Sequence, residues 1–276
     1  MDLLKSFAYP EELLALLRFK FGGCEVVMPK CDFTTMSPTL KQCFDLLNKT
    51  SRSFAAVIQA LDGELRNAVC IFYLVLRALD TVEDDMTIPN DIKVPMLKSF
   101  YTNLLDPEWK YNESNDKDKI VLENFPSISR EYRELSEIYR EIISESCQKM
   151  GEGMTVFLEK KIDTITEWDE YCYYVAGLVG IGLAKLFSAS RQEDKILGED
   201  SSLANKVGLF LQKTNIIRDY LEDWTDQRIF WPKAAWSKYG SDLGDFAKPE
   251  NQEKAVQCLN DLSQMLLSWY HHQSSL

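Results

Sequence analysis

The chain carries two short acidic clusters of the same design, Asp80-Thr81-Val82-Glu83-Asp84-Asp85 and Asp219-Tyr220-Leu221-Glu222-Asp223. Each places two aspartates at i and i+4 with a glutamate at i+3. On a helix these positions share one face, with Cβ atoms roughly 5–6 Å apart. Like charges so placed weaken a helix by about 0.2–0.5 kcal/mol per pair, so the pattern calls for a cation between them. Stepping back from Asp84 by threes and fours gives Asp80, Arg77 and Tyr73; from Asp223 it gives Asp219, Asn215 and Gln212. Each series is a polar stripe on a helix that is otherwise apolar, with Val69, Ile71, Phe72, Leu74, Val75 and Leu76 on the first and Val207, Leu209, Phe210, Leu211, Ile216 and Ile217 on the second. A helix apolar on most sides is buried, and charge on it must be paired or bind metal.

Hard carboxylate oxygens with no nearby histidine or cysteine suit Mg²⁺ and not zinc. The competing reading is a pair of solvated acidic faces. One cluster alone favours that reading; two matching clusters, each closing a buried helix, favour metal. A calcium loop fits poorly, because from Asp80 to Asp91 Val82 stands where an oxygen ligand is needed and Asp85 where the turn glycine belongs.

Other classes are excluded by composition. A net charge of −12 argues against nucleic-acid binding. The only histidines are His271 and His272 near the end of the chain, which leaves no histidine general base. No Gly-x-Gly-x-x-Gly follows a strand signal, so a Rossmann site is not expected. Seven dispersed cysteines without a Cys-x-x-Cys pair read as reduced thiols. No secretory leader is visible, and no apolar run reaches the length of a membrane span, the best candidates stopping at Arg77 and Lys185.

Helical periodicity dominates, and a single all-α domain is expected. The predicted helices are Glu11–Phe19, Pro38–Asn48, Phe54–Ala60, Gly63–Asp84, Lys93–Leu105, Lys117–Asn124, Ser129–Lys149, Glu167–Ser188, Ser202–Asp223 and Asn251–Trp269. Gly177, Gly180 and Gly182 cost the eighth of these helix stability. Their reward is close approach of either a ligand or another helix, and spacing does not choose between the two. Phe54, Phe72, Leu183, Phe187 and Leu211 are candidates for a cavity wall.

Thr50-Ser-Arg-Ser-Phe54, the run from Phe54 to Met86, Tyr171-Cys-Tyr-Tyr-Val-Ala-Gly177, Gly208 to Asp223, Phe230-Trp-Pro232 and Leu243 to Asn251 resemble squalene synthase, closest to the animal enzymes. The resemblance runs to about Leu262. It implies an isoprenoid-synthase-type helical fold with one central cavity, working as a monomer in sterol biosynthesis. The implied activity joins two farnesyl diphosphates head to head through presqualene diphosphate to squalene, with Mg²⁺ and NADPH. By position, the metal ligands fall on Asp80, Glu83, Asp84, Asp219 and Asp223. Phosphate and NADPH contacts fall on Arg52, Arg77 and Arg218. The tyrosine of the first half-reaction falls on Tyr171.

The stretch 263–276 does not follow the resemblance, so residues 1–262 are expected to form the catalytic domain, incomplete at its C-terminal end, and 263–276 a divergent tail. A truncated or alternatively spliced form is the expectation. The family is held at the cytosolic face of the endoplasmic reticulum membrane; this chain, lacking the anchor, is expected to be soluble or peripheral. Such a chain is expected to make little squalene, with farnesol-type or presqualene products instead. Two other readings remain open: phytoene- or dehydrosqualene-type coupling without NADPH, and a non-catalytic isoform.

Overall fold

Ser37 opens the first helix. Its hydroxyl accepts from the Leu40 amide at 3.0 Å, and Pro38 follows at the first helical position, where a missing N–H costs nothing. The computed structural model describes residues 34, 36–51 and 54–273, the stretch 268–273 by its backbone alone. The predicted helix Glu11–Phe19 and the candidate phosphate contact Arg52 lie outside the described residues.

All regular structure among the described residues is helical. The main helices are α1 (Pro38–Thr50), α2 (Phe54–Gln59), α3 (Gly63–Asp84), α4 (Asn90–Ser99), α5 (Phe125–Glu134), α6 (Glu137–Phe157), α7 (Ile165–Ala189), α8 (Ser202–Arg218), α9 (Tyr220–Thr225) and α10 (Gln252–Gln273). Helix α3 forms the axis of the bundle. It packs against α1, α5, α6 and α7, and from Ala68 onward it is buried on every side except the stripe Tyr73, Arg77, Asp80, Glu83 and Asp84. Its bounds coincide with those expected, because an apolar run this long specifies a helix through burial as well as propensity.

Three expectations shift. The single helix expected over 129–149 is two, α5 and α6, divided at Leu135 and Ser136, whose backbones are extended. The Ser136 amide leaves the helical ladder to donate to Glu64 Oε1 at 2.7 Å, a partner on α3 that helical periodicity cannot reveal. The helix expected over Ser202–Asp223 is broken at Asp219, although the Asp223 amide still donates to the Asp219 carbonyl at 3.0 Å and preserves the i, i+4 turn. Helix α8 is also less buried than expected: Gly208, Leu209, Lys213 and Ile216 face inward, whereas Val207 and Leu211 are exposed. Beyond Leu262 no break occurs, and α10 runs on to Gln273.

Helix α7 changes pitch midway, with a π-helical turn over Tyr173–Gly177. By length and composition it is the one helix among the described residues that is long and apolar enough to cross a membrane. Here it is clasped by α3, α6 and α8. Its glycines serve helix approach. A Cβ at Gly180 would stand 2.5 Å from the Ala204 carbonyl oxygen of α8, and one at Gly182 would stand 2.5 Å from the Phe72 ring of α3. On the facing side, a Cβ at Gly208 would stand 2.5 Å from the Ala176 carbonyl oxygen.

Gly208→Val should therefore force α8 away from α7 and lower the unfolding free energy by about 1–3 kcal/mol, read from the urea midpoint. An unchanged midpoint would mean that the two helices have room to spare.

Candidate functional site

The polar stripe of α3 and the α8–α9 junction meet across a narrow gap. On the first wall, Arg77 lies 3.7 Å from Asp80 Oδ2 and 4.0 Å from Asp118 Oδ2, and its Nε donates to the Tyr73 hydroxyl at 3.3 Å. Tyr73 in turn donates to the Thr50 carbonyl at 2.9 Å, so the stripe is tethered to the end of α1. On the second wall, Arg218 grips Asp219 with two hydrogen bonds of 2.7 Å. The Arg218 side chain is exposed at the rim, whereas Asp223 lies deeper.

Arg228 joins the walls. Its Nη1 pairs with Asp84 of α3, and its Nη2 lies 3.2 Å from Asp223 and 3.6 Å from Asp226. Sequence reasoning did not find this residue. A second missed cation is Lys93 on α4, which is buried and donates to the Glu83 carbonyl at 2.7 Å, where a positive charge complements the end of α3.

The electrostatics reflect the crowding. Burial, followed by the neighbouring charges of Asp84, Asp118 and Asp116, pushes the Asp80 carboxyl up to about 7 despite Arg77. Burial also raises Glu83 and Asp84, and it carries Asp223 up to about 6 against the pull of Arg228. Among the described residues no three acid, histidine or cysteine side chains converge tightly enough to chelate one ion as they stand. The cation between the clusters here is a guanidinium.

Asp85, the last acid of the first cluster, turns away from the gap. Its backbone leaves the helix, and its carboxylate accepts from the Thr87 amide (2.8 Å), the Thr87 hydroxyl (2.6 Å), the Ser114 hydroxyl (2.7 Å) and the Asn115 amide (2.8 Å). It is a loop anchor.

Tyr171 is buried beneath the gap. Its ring stacks on Phe230 at 5.1 Å and meets the edge of Phe157 at 5.3 Å. Burial, with Glu83 and Asp84 next in effect, holds the phenol well above its ordinary range and therefore protonated. The Phe230-Trp-Pro232 motif is accounted for here: Phe230 supplies the stacking ring, and Trp231 donates its indole N–H to the Ile216 carbonyl at 3.0 Å near the end of α8. Of the suggested cavity wall, Phe72 is core, Leu183 and Phe187 are partly buried against it, and Phe54 and Leu211 are exposed. A separate cavity of about 440 Å³, lined by Ile217, Tyr220, Trp231, Phe246, Val256 and Leu259, lies on the α10 side and includes none of the acids.

Residues 47–273 match the model of squalene/phytoene synthases. The chain belongs to this family. It is 59% identical to bovine squalene synthase over 99% of its own length and 64% of the relative's, and 60% identical to the human one over 95% and 63%. The chain thus spans under two thirds of the length of these relatives. Its helices superpose on a ligand complex of TcSQS with a TM-score of 0.82 at 46% identity, covering 84% of this chain and 69% of that one. The expected isoprenoid-synthase helical fold is the one found. A dehydrosqualene synthase in complex with ligand shares the fold at a TM-score of 0.59 and 21% identity, over 84% and 75%.

Asp85 gives a test free of the acids in the gap. Burial raises its carboxyl, but the hydrogen bonds from Thr87 and Ser114 outweigh this and bring it down to about 2. A lowered carboxylate stabilises fully above its unfolded value of about 3.9, and the contribution is lost as pH falls from there toward 2. Asp85→Ala should cost about 3 kcal/mol at pH 7, and the gap from wild type should shrink steadily below pH 4 in urea titrations. A gap independent of pH would show that the charge contributes nothing.

Proposed function

We propose that the chain couples two farnesyl diphosphates head to head through presqualene diphosphate to squalene, using Mg²⁺ and, for the reductive step, NADPH. The observation that carries this reading is the Arg228 bridge. It brings Asp84 and Asp223, one from each cluster, to a single cation. The donor set around it is all carboxylate, which fits Mg²⁺. Asp80, Glu83, Asp84, Asp219 and Asp223 would hold the metal. A divalent ion there supplies Lewis-acid stabilisation of the leaving diphosphate.

The chain's own residues account for the rest. The arginines beside the acids, Arg77 and Arg218, stand where phosphate oxygens would arrive, and Arg218 is exposed enough to receive a second phosphate group such as that of NADPH. Arg52 is assigned to the same role by the resemblance. Breaking the allylic C–O bond leaves a cation that water would capture. The buried ring of Tyr171, with the partly buried Phe230 and Phe157 packed on it, would keep water from the space beneath the gap, and aromatic faces stabilise positive charge. The double bond of the second farnesyl chain then attacks, and loss of one proton closes the cyclopropane. Tyr171 and the departed diphosphate are the two candidate acceptors for that proton. In the second half-reaction the remaining diphosphate would leave and the skeleton would rearrange; NADPH, held through Arg52, Arg77 and Arg218, would supply the hydride.

Labelled farnesyl diphosphate with Mg²⁺, with and without NADPH, tests the reading. Presqualene diphosphate should form with Mg²⁺ alone, and NADPH should divert it to squalene. A dehydrosqualene or phytoene-type product indifferent to NADPH would replace the proposal with the other coupling reaction. No consumption at all would leave a non-catalytic chain. This chain's likeness to the squalene synthases, at 46–60% identity against 21% for the dehydrosqualene synthase, favours the first outcome.

Two sets of variants probe the roles. Asp80→Ala and Asp219→Ala should each lower Mg²⁺-dependent diphosphate release by about 10²-fold or more, since each removes a ligand for the leaving group's counter-ion. A variant with wild-type turnover would remove that cluster from the metal site. Tyr171→Phe should keep its near-ultraviolet circular dichroism while slowing presqualene diphosphate formation by about 10²-fold, the size of a lost proton or hydrogen-bond contribution. An unchanged rate would reduce Tyr171 to a wall of the pocket.

A further inference from the structure

Helix α9 ends in a capping turn of defined geometry. The Arg228 amide donates to the Asp223 carbonyl at 2.8 Å, and the Gln227 amide donates to the Trp224 carbonyl at 3.0 Å. Together these are the two bonds of a Schellman motif. Gln227 holds the left-handed position, with φ of 61°, where glycine is the usual residue. The strained turn places the Arg228 backbone directly over Asp223 and sends its side chain back across the gap to Asp84, 144 residues away in sequence. The guanidinium lies 5.7 Å from the centre of the Phe230 ring, which is itself stacked on Tyr171. Arg228 is largely buried, yet its Nε has no hydrogen-bond partner. A buried donor left unspent carries a cost, so this pose satisfies Arg228 incompletely.

Arg77 and Arg218 each pair with an acid of their own cluster. Arg228 alone among the described arginines and lysines pairs with both clusters, and it does so through Asp84 and Asp223, two of the acids assigned to the metal.

We infer that Arg228 is an internal counter-cation that holds the two acid clusters together until a divalent metal displaces it from Asp84 and Asp223, after which its freed guanidinium meets the oxygens of the diphosphate. Arg228 is thus a positioning residue for the metal and a binding residue for the leaving group. The inference rests on the metal reading proposed above. Metal and guanidinium compete for the same two carboxylates, and a ligand that must displace a resident ion binds less tightly than one that need not. Planar, always charged and forked, an arginine suits both positions, since the geometry that bridges two carboxylates also matches a diphosphate. No covalent step is involved.

The test uses the full chain, with Mn²⁺ as the metal probe and inorganic pyrophosphate as the anion probe. Removing Arg228 should move the two affinities in opposite directions. Arg228→Gln should bind Mn²⁺ alone about tenfold more tightly than wild type, read by calorimetry or by the free-ion electron paramagnetic resonance signal. With Mn²⁺ saturating, it should bind pyrophosphate about tenfold more weakly. Lost packing alone would weaken both. Arg228→Lys keeps one charge and loses the fork, so it should shift Mn²⁺ affinity in the same direction by a smaller factor. It carries the test if Arg228→Gln does not fold. Mn²⁺ affinity that is unchanged or weaker in the variants, while wild type binds the ion normally, overturns the inference and leaves the metal reading standing. Failure of wild type and variants alike to bind Mn²⁺ overturns both.

Discussion

Five carboxylates held close together repel one another, and much of this fold exists to hold them there regardless. Two unit charges 4 Å apart at a partly buried site interact by about 4 kcal/mol. Three such encounters would rival the net stability of an ordinary domain, about 5–15 kcal/mol. The offset is structural. Helix α3 buries Leu65, Val69, Ile71, Phe72, Leu74, Val75, Leu76, Leu79 and Val82 on its other faces. Each contributes roughly 1.5–3 kcal/mol as an upper estimate, so together they match or exceed repulsion of that size. The acids therefore stay where the core puts them, and the cations Arg77, Lys93 and Arg228 gather around them. The carboxyls of Asp80 and Asp223 stay raised, first by burial and then by the neighbouring acids.

This division explains what could be read from the sequence. Helix α3 was legible to the residue, because its periodicity, its length and its polar stripe all report burial from inside one segment. The two acid clusters were legible for the same reason. Arg228 was not, since its meaning depends on Asp84, which no local pattern connects to it. Asp85 looked like its neighbours until the backbone after Asp84 left the helix and sent its carboxylate to the Ser114–Asn115 loop. The break between α5 and α6 hinged on Glu64, again a distant partner. Periodicity also overstated the burial of α8. An apolar row such as Leu203, Val207 and Leu211 reads identically whether or not anything covers it, and here all three are exposed. The glycines of α7 were ambiguous between ligand and helix until the approach of Ala204 and Phe72 decided it.

The two walls of the gap differ in construction, and that difference bears on how the site could work. The first wall is the last turn of a long, fully packed helix, tied at one end to α1 through Tyr73 and Thr50 and at the other to α4 through Lys93. The second sits at a break. Asp219 joins two helices, α9 is only six residues long, and it ends in a turn whose left-handed residue is a glutamine. A non-glycine residue in that conformation costs on the order of 1–2 kcal/mol. Segments with few buried contacts and strained ends open more readily than a core helix. One wall thus fixes the position of the acids, and the other can adjust to whatever stands between them. Arg228 grows out of the adjustable wall and reaches for the fixed one. Exchanging it for a metal would move the α9 turn and leave the bundle unchanged, so the chemistry of the gap is mechanically separated from the stability of the core.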